Sequence, residues 1–141
     1  MTKLADLARA GLKIVGAGDN VPITKYANQL IANLAKEPGY PPGFAAKVAA
    51  NIVSREDNVK AVVAKVELGE GDAAVVYVTD ARASTRVRTI DVPATANVPA
   101  AYAAVVVKGS QHASEAQAFL DWLTSPHAQS ILSDFGFLPP P

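Results

Sequence analysis

Residues 73–78 read AAVVYV, an apolar run in which no polar residue alternates with the hydrophobic ones. A strand of this kind is buried on both faces, which is typical of a parallel sheet covered by helices on each side. The run therefore predicts an α/β fold. It also places Tyr77 at or near the carboxyl end of a strand, and open α/β sheets bind their ligands at that edge.

The rest of the chain repeats the order of helix and strand. LKIVGAG (12–18) is a second buried strand, and the helix after it, for which Thr24 is a plausible cap, carries an apolar stripe at Tyr26, Leu30, Ile31 and Leu34. A further helix follows Ser54 and Asp57, which stand in capping-box spacing, and its apolar residues are Val59, Val62, Val63 and Val66. AAKVAANIV (45–53) fits a helix or a strand by periodicity alone, and we favour a short strand near 48–53. Further strands are predicted in 84–93 and in 101–110, and two helices close the chain. We expect one α/β lobe with a mixed sheet of about five strands and helices on both faces.

Charge and composition exclude several classes of function. The 141 residues suffice for one domain, and the 13 basic and 13 acidic residues balance, so no net field draws the chain to a nucleic acid or an anionic membrane. There is no cysteine, which excludes disulfides and thiol catalysis. No apolar run approaches the roughly 18 residues of a membrane span, and the first residues lack the apolar core of a signal peptide. We therefore expect a soluble chain without a signal peptide.

The sequence offers little for catalysis. His112 and His127 stand beside helix starts without metal-ligand spacing and are read as surface residues, so no metal site is expected. There is no P-loop and no GxSxG motif, and GAGDN has too few glycines for a dinucleotide fingerprint. Asp80 could be a catalytic carboxylate, but an aspartate after a strand more often caps the next helix. We expect a protein that is not an enzyme and needs no cofactor.

Helix starts at the carboxyl ends of strands remain as candidate binding groups. They lie at Ile23–Thr24, at Asn58–Val59 and at the turn of Tyr77. Each presents backbone N–H groups without a partner in the helix, together with the positive end of a helix dipole, which suits an oxyanion without any charged side chain. Any α/β domain has such ends, so the pattern alone leaves a purely structural reading open.

Several motifs, read in order, carry a family resemblance: DNVPITKYANQLI, REDNVKAVVAKVELGEGDAAVVYVTDARAS, VPAAYAAVVVKGS, AQAFLDWL, SPHAQSIL and FGFLPP. They resemble the later part of the periplasmic molybdate-binding proteins, the substrate-binding components of ABC importers for molybdate and tungstate. The resemblance implies one lobe of the type II periplasmic-binding-protein fold. It also implies that the oxyanion is held by the backbone N–H of Ile23 in VPxxxYA, the N–H of Val59 in NV and the hydroxyl of Tyr77 in VYxTDA, with no separate metal ligands.

The same resemblance implies a domain plan and a function. Residues 1–93 correspond to the second lobe, and 94–141 to a strand that returns to the first lobe in the intact family, followed by the C-terminal helices. Because the loop before this strand is long enough to turn back, we expect 94–141 to pack onto the second lobe here, with 102–107 filling an antiparallel place in its sheet. We expect a truncated or engineered half of a molybdate- or tungstate-binding protein, with a partial site and weak or no binding alone. The alternatives are a stable lobe made for folding or fold-evolution work without ligand binding, and an effector-sensing domain of a transcription regulator.

The partners implied are a small oxyanion and the membrane permease of an ABC importer, and not a nucleic acid. The intact family is periplasmic or held at the cell surface. A monomer is favoured for this chain, with a strand-exchanged homodimer as the alternative.

Overall fold

A computed structural model describes residues 1–140, and the chain divides into two compact units, residues 1–99 and 100–141. The first unit contains a 3-10 helix, three strands and four α-helices. In chain order these are the 3-10 helix Leu4–Ala8, β1 Ile14–Ala17, α1 Pro22–Leu34, α2 Phe44–Ala50, β2 Ile52–Glu56, α3 Val59–Glu67, β3 Ala73–Ala74 and α4 Val78–Arg82. The predicted order of helix and strand is confirmed around β1, β2 and α3, but the strand expected near 48–53 was placed too early: residues 44–50 form α2, and the strand begins only at Ile52.

The sheet has the strand order β2-β1-β3, and both pairs are parallel. β1 is the central strand: Ile14 and Val15 pair with Ala73 and Ala74 on one side, and all four of its residues pair with β2 on the other. Parallel strands need crossover connections, which here contain α1 and α2 between β1 and β2, and α3 between β2 and β3. All three strands therefore end at the same edge.

The prediction of a mixed sheet of about five strands was wrong: the sheet described by residues 1–140 has three strands and no antiparallel pair. Residues 84–93 and 101–107 form no strand, and Val105 and Val107 are 79% and 70% exposed. An apolar or alternating run shows that the side chains of a segment favour a strand, but a strand forms only where a neighbouring strand supplies backbone hydrogen bonds. The returning segment therefore does not fill an antiparallel place in this sheet.

Two apolar clusters cover the two faces of the sheet. The first cluster contains Ile14 of β1 and Ala73 of β3, packed with buried residues that include Leu30, Ile31 and Leu34 of α1 and Phe44 and Val48 of α2. The second cluster consists of Val15, Ala17, Ile23 and Val62, with Ala74 packed against it. Neighbouring residues of β1 and β3 thus point into opposite clusters, as the lack of polar alternation predicts.

The second unit contains two helices, α5 Ala113–Leu123 and α6 Pro126–Asp134. The side chain of Ser125 accepts a hydrogen bond from the N–H of Ala128 at 3.3 Å, with Pro126 at the first helical position. Gly136 follows the helix with a φ of 94°, so the predicted cap, first-turn proline and terminating glycine are all confirmed. The predicted packing of residues 94–141 onto the lobe stays a prediction.

A helix that crosses a bilayer needs about 20 consecutive apolar residues. None of the helices in residues 1–140 is both long and apolar enough to cross a membrane.

Gly71 cannot be replaced without a clash, because a Cβ atom at this position would overlap Cγ2 of Val15. Val15 is 1% exposed and β-branched, so its side chain cannot turn away. We expect Gly71→Ala to lower the free energy of unfolding by about 1–3 kcal/mol, the usual cost of overpacking, as measured by urea denaturation.

Gly16→Ala is the matched control. A Cβ atom there would lie 3.5 Å from Cγ2 of Ile52, which is an ordinary contact. An equal loss of stability in both variants would contradict the account of Gly71.

Candidate functional site

The three predicted site residues lie in the segments that follow the three strands. Ile23 is the second residue of α1 after β1, Val59 is the first residue of α3 after β2, and Tyr77 is the N-cap of α4 after β3. Because the strands are parallel, all three helices begin at the carboxyl edge of the sheet. Ile23 belongs to the second cluster, and Val59 and Tyr77 pack against it, so the structure brings the three residues together.

The start of α1 holds Ile23 with its side chain in the core. The residue as a whole, backbone included, is 3% exposed, and it belongs to the second cluster. Val21 is the N-cap and gives no side-chain hydrogen bond, and Pro22 has no N–H. Within residues 1–140 no oxygen accepts a hydrogen bond from the N–H of Ile23. The first free donor of this helix is therefore the one that the sequence singles out.

Thr24 anchors this helix start, although it is not the cap that the sequence predicts. It lies inside α1, and its buried hydroxyl is 3.0 Å from the carbonyl oxygen of Ala17 and 2.8 Å from that of Gly18. The hydroxyl donates to carbonyls at the end of β1 instead of accepting from the helix. The position of the Ile23 N–H relative to the sheet is fixed by this contact.

The start of α3 is capped by Asn58, and the predicted capping box at Ser54 and Asp57 was wrong. Ser54 lies within β2, and Asp57 precedes the N-cap. The Asn58 side chain accepts from the N–H of Ala61 at 2.9 Å. The cap thus uses the third N–H of the helix, and among the described residues the N–H of Val59 has no acceptor.

Tyr77 stands where the chain leaves β3 and enters α4. Its backbone is extended, and its carbonyl oxygen accepts from the N–H groups of Asp80 and Ala81, each at 3.1 Å. Its ring meets that of Tyr26 edge to face, with the centroids 5.9 Å apart. The sequence predicts Tyr26 only as part of the apolar stripe of α1. Its position three residues after Ile23 places it on the same face of the helix, and this was the available signal that it lies near the site.

Two acidic side chains near this edge form ion pairs with basic ones. Glu56, the last residue of β2, forms an ion pair with Nζ of Lys65 at 2.8 Å, and this hydrogen bond holds the pKa of the Glu56 carboxyl below its usual value. Asp19, in the turn before α1, lies 3.6 Å from the guanidinium of Arg55.

Asp80 does not cap α4, because Tyr77 occupies the N-cap position and Asp80 lies in the first turn. Burial raises the pKa of its carboxyl, while the nearby charge of Lys60 acts in the opposite direction. His112 and His127 are both exposed, at the starts of α5 and α6. No group of three potential metal ligands occurs in the part of the chain that the structure describes.

Comparison with known proteins now identifies the class. The sequence matches the family of bacterial extracellular solute-binding proteins over residues 1–138. The chain belongs to this family. Its members bind solutes and are not enzymes, in agreement with the sequence-based expectation.

Two relatives of known name indicate which branch of the family this chain resembles. The molybdate-binding protein ModA of Mycobacterium tuberculosis is 33% identical over 137 residues, which are 96% of this chain and 48% of that protein. YvgL of Bacillus subtilis, described as an ABC transporter substrate-binding lipoprotein, is 31% identical over 97% of this chain and 50% of its own length. The chain thus spans about half the length of these curated relatives. The resemblance to molybdate-binding proteins is confirmed.

A solved structure supports the fold. It is described as the substrate-binding domain of a molybdenum ABC transporter from Clostridium difficile, and it superimposes with a TM-score of 0.76 at 25% identity. The match covers 100% of this chain and 59% of that one. The α/β lobe of a periplasmic binding protein is therefore confirmed as the fold class, with the corrected number of strands.

The Asn58 cap of α3 is expected to contribute to the stability of the fold. Asn58→Ala removes the acceptor for the N–H of Ala61, and we expect a loss of about 1 kcal/mol in the free energy of unfolding. Asn58→Asp keeps an acceptor oxygen and should stay within a few tenths of a kcal/mol of the wild type. Thermal and urea denaturation measure both, and an Asn58→Ala variant as stable as Asn58→Asp would contradict the assignment of the cap.

Proposed function

We propose that this chain carries part of the binding site for a tetrahedral oxyanion, molybdate or tungstate, in the solute-binding component of an ABC importer. The ligand groups are the N–H of Ile23, the N–H of Val59 and the hydroxyl of Tyr77. The observation that carries the proposal is that these residues follow three different strands and meet in one apolar cluster at the carboxyl edge of the sheet.

The chemistry of these groups suits an anion. α1 and α3 have 13 and 9 residues, and each directs the positive end of its dipole and a free N–H toward the edge. The second cluster beneath them is apolar, which keeps water away from one side of the bonds and strengthens their electrostatic part. Neutral donors of this kind bind an oxyanion without a lysine or arginine in contact with it.

The relatives supply the biological setting of the proposal. Two of them are named as a molybdate-binding protein and as an ABC transporter substrate-binding lipoprotein. We infer that this chain acts outside the cytoplasmic membrane and passes its oxyanion to a membrane permease. Further ligand groups then come from polypeptide that corresponds to the half of the relatives that this chain does not match.

We expect residues 1–141 alone to bind molybdate weakly, with a dissociation constant in the millimolar range or above. A charge-assisted hydrogen bond contributes about 1.5–3 kcal/mol where it is shielded, but on an open edge water competes for every donor. Calorimetry with molybdate, tungstate and sulfate, supported by NMR titration at high anion concentration, measures the affinity.

A micromolar dissociation constant for a chain that light scattering shows to be monomeric would contradict this prediction. Complete absence of chemical-shift changes for Ile23, Val59 and Tyr77 at saturating anion would instead support the alternative of a stable lobe without ligand binding.

Substitutions at Val59 and Tyr77 test the proposed donors one by one. Tyr77→Phe removes a hydroxyl and keeps the ring, so we expect molybdate binding to weaken by at least about 10-fold while the fold remains. Val59→Pro removes the backbone donor at the first helical position, where proline is well tolerated, and Asn58 before it already has the extended backbone that proline demands, with φ −160° and ψ 164°.

Val59→Ala is the control for Val59→Pro, because it shortens the side chain but keeps the N–H. We expect Val59→Pro to weaken binding and Val59→Ala to matter less. Equal affinities in these two variants would remove the Val59 N–H from the site, and an unchanged affinity in Tyr77→Phe would remove the tyrosine.

A further inference from the structure

Tyr26 and Tyr77 form an aromatic pair between α1 and the start of α4. Their centroids are 5.9 Å apart and their planes meet at 65°, the edge-to-face geometry that aromatic pairs favour. Both rings are partly buried and pack against the second cluster. The contact therefore joins the helix that carries the Ile23 N–H to the residue that carries the proposed hydroxyl ligand.

The two partners are fixed to different degrees by their own backbones. Tyr26 lies one helical turn after Ile23, which is buried, and in the same helix as Thr24, whose hydroxyl is bonded to the end of β1. Tyr77 lies beyond a strand of only two paired residues and caps a helix of only five. A side-chain contact from the well-anchored helix thus restrains a residue whose backbone has little regular structure around it.

The geometry points to Tyr26 as a positioning residue for Tyr77. Its ring holds the ring of Tyr77 in one orientation, and so holds the hydroxyl of Tyr77 at the edge where the N–H groups of Ile23 and Val59 lie. The use of this hydroxyl for an oxyanion rests on the proposed function. The hydroxyl of Tyr26 itself makes no hydrogen bond within the described part of the chain, so its ring carries the role.

A second aromatic pair provides a matched comparison. Tyr40 and Phe44 also meet edge to face, with centroids 4.9 Å apart and planes at 72°. Phe44 belongs to the first cluster and Tyr40 packs against it, and that cluster contains none of the three proposed ligand residues. Loss of this pair removes a similar aromatic contact without touching the site.

The experiment compares Tyr26→Leu, Tyr26→Phe and Tyr40→Leu with the wild type. NMR couplings that report the χ1 rotamer of Tyr77 are measured without anion, and molybdate affinity is measured by NMR titration. We expect Tyr26→Leu to give averaged rotamers of Tyr77 and a loss of affinity of about 2- to 10-fold. Tyr26→Phe should match the wild type in both measurements, and Tyr40→Leu should lose stability without changing either.

A double-mutant cycle separates positioning from general loss of structure. If Tyr26 acts through the hydroxyl of Tyr77, then Tyr26→Leu has no further effect on affinity in a Tyr77→Phe background. An equal loss in both backgrounds, or a single unchanged Tyr77 rotamer in Tyr26→Leu, would overturn the inference. Failure of the wild type to bind any molybdate would reject the proposed function, whereas the rotamer measurement would still decide whether Tyr26 restrains Tyr77.

Discussion

The parallel pairing of β1 on both of its sides is the constraint on which the first unit depends. β2 and β3 can lie beside β1 only if helices return the chain to the same starting edge, so the carboxyl ends of all three strands meet. The close approach of Gly71 to Val15 belongs to the same pairing, because only a residue without a Cβ atom lets the chain enter β3 there. The meeting of Ile23, Val59 and Tyr77 follows from topology before any ligand is considered.

The parts of this arrangement that depend on local chemistry could be predicted from the sequence. The valines of α3 recur at helical spacing, the proline at the start of α1 has a fixed φ, and the apolar runs of β1 and β3 lack polar alternation. Each of these signals is contained within a few residues of the element that it specifies. The helices α1 and α3 and the strands β1 and β3 were accessible for that reason, whereas the apolar residues of 44–50 fit a helix or a strand by periodicity alone.

Other features could not be predicted from the sequence. They depend on backbone partners distant in the chain or on which of several neighbouring polar side chains caps a helix. Residues 101–107 suit a strand as well as β1 does, but no local signal states whether a backbone partner exists. Ser54, Asp57 and Asn58 all carry cap-forming oxygens, and only the actual end of β2 decides that Asn58 is used. Periodicity likewise predicts the helix α5 but not the burial of its stripe, since Phe119 remains 55% exposed.

The proposed site uses backbone N–H groups that remain unbonded once each helix start has formed. At α3 the Asn58 side chain takes the N–H of Ala61, and at α1 the Thr24 hydroxyl turns toward the end of β1, so neither side chain occupies the donor nearest the edge. An N-cap side chain accepts from the second or third N–H of its helix, so the first N–H of α3 stays open, and at α1 the N-cap residue Val21 has no side-chain acceptor. Within the described residues the N–H groups of Ile23 and Val59 therefore stay unbonded, and they are the donors that the proposed function assigns to an oxyanion.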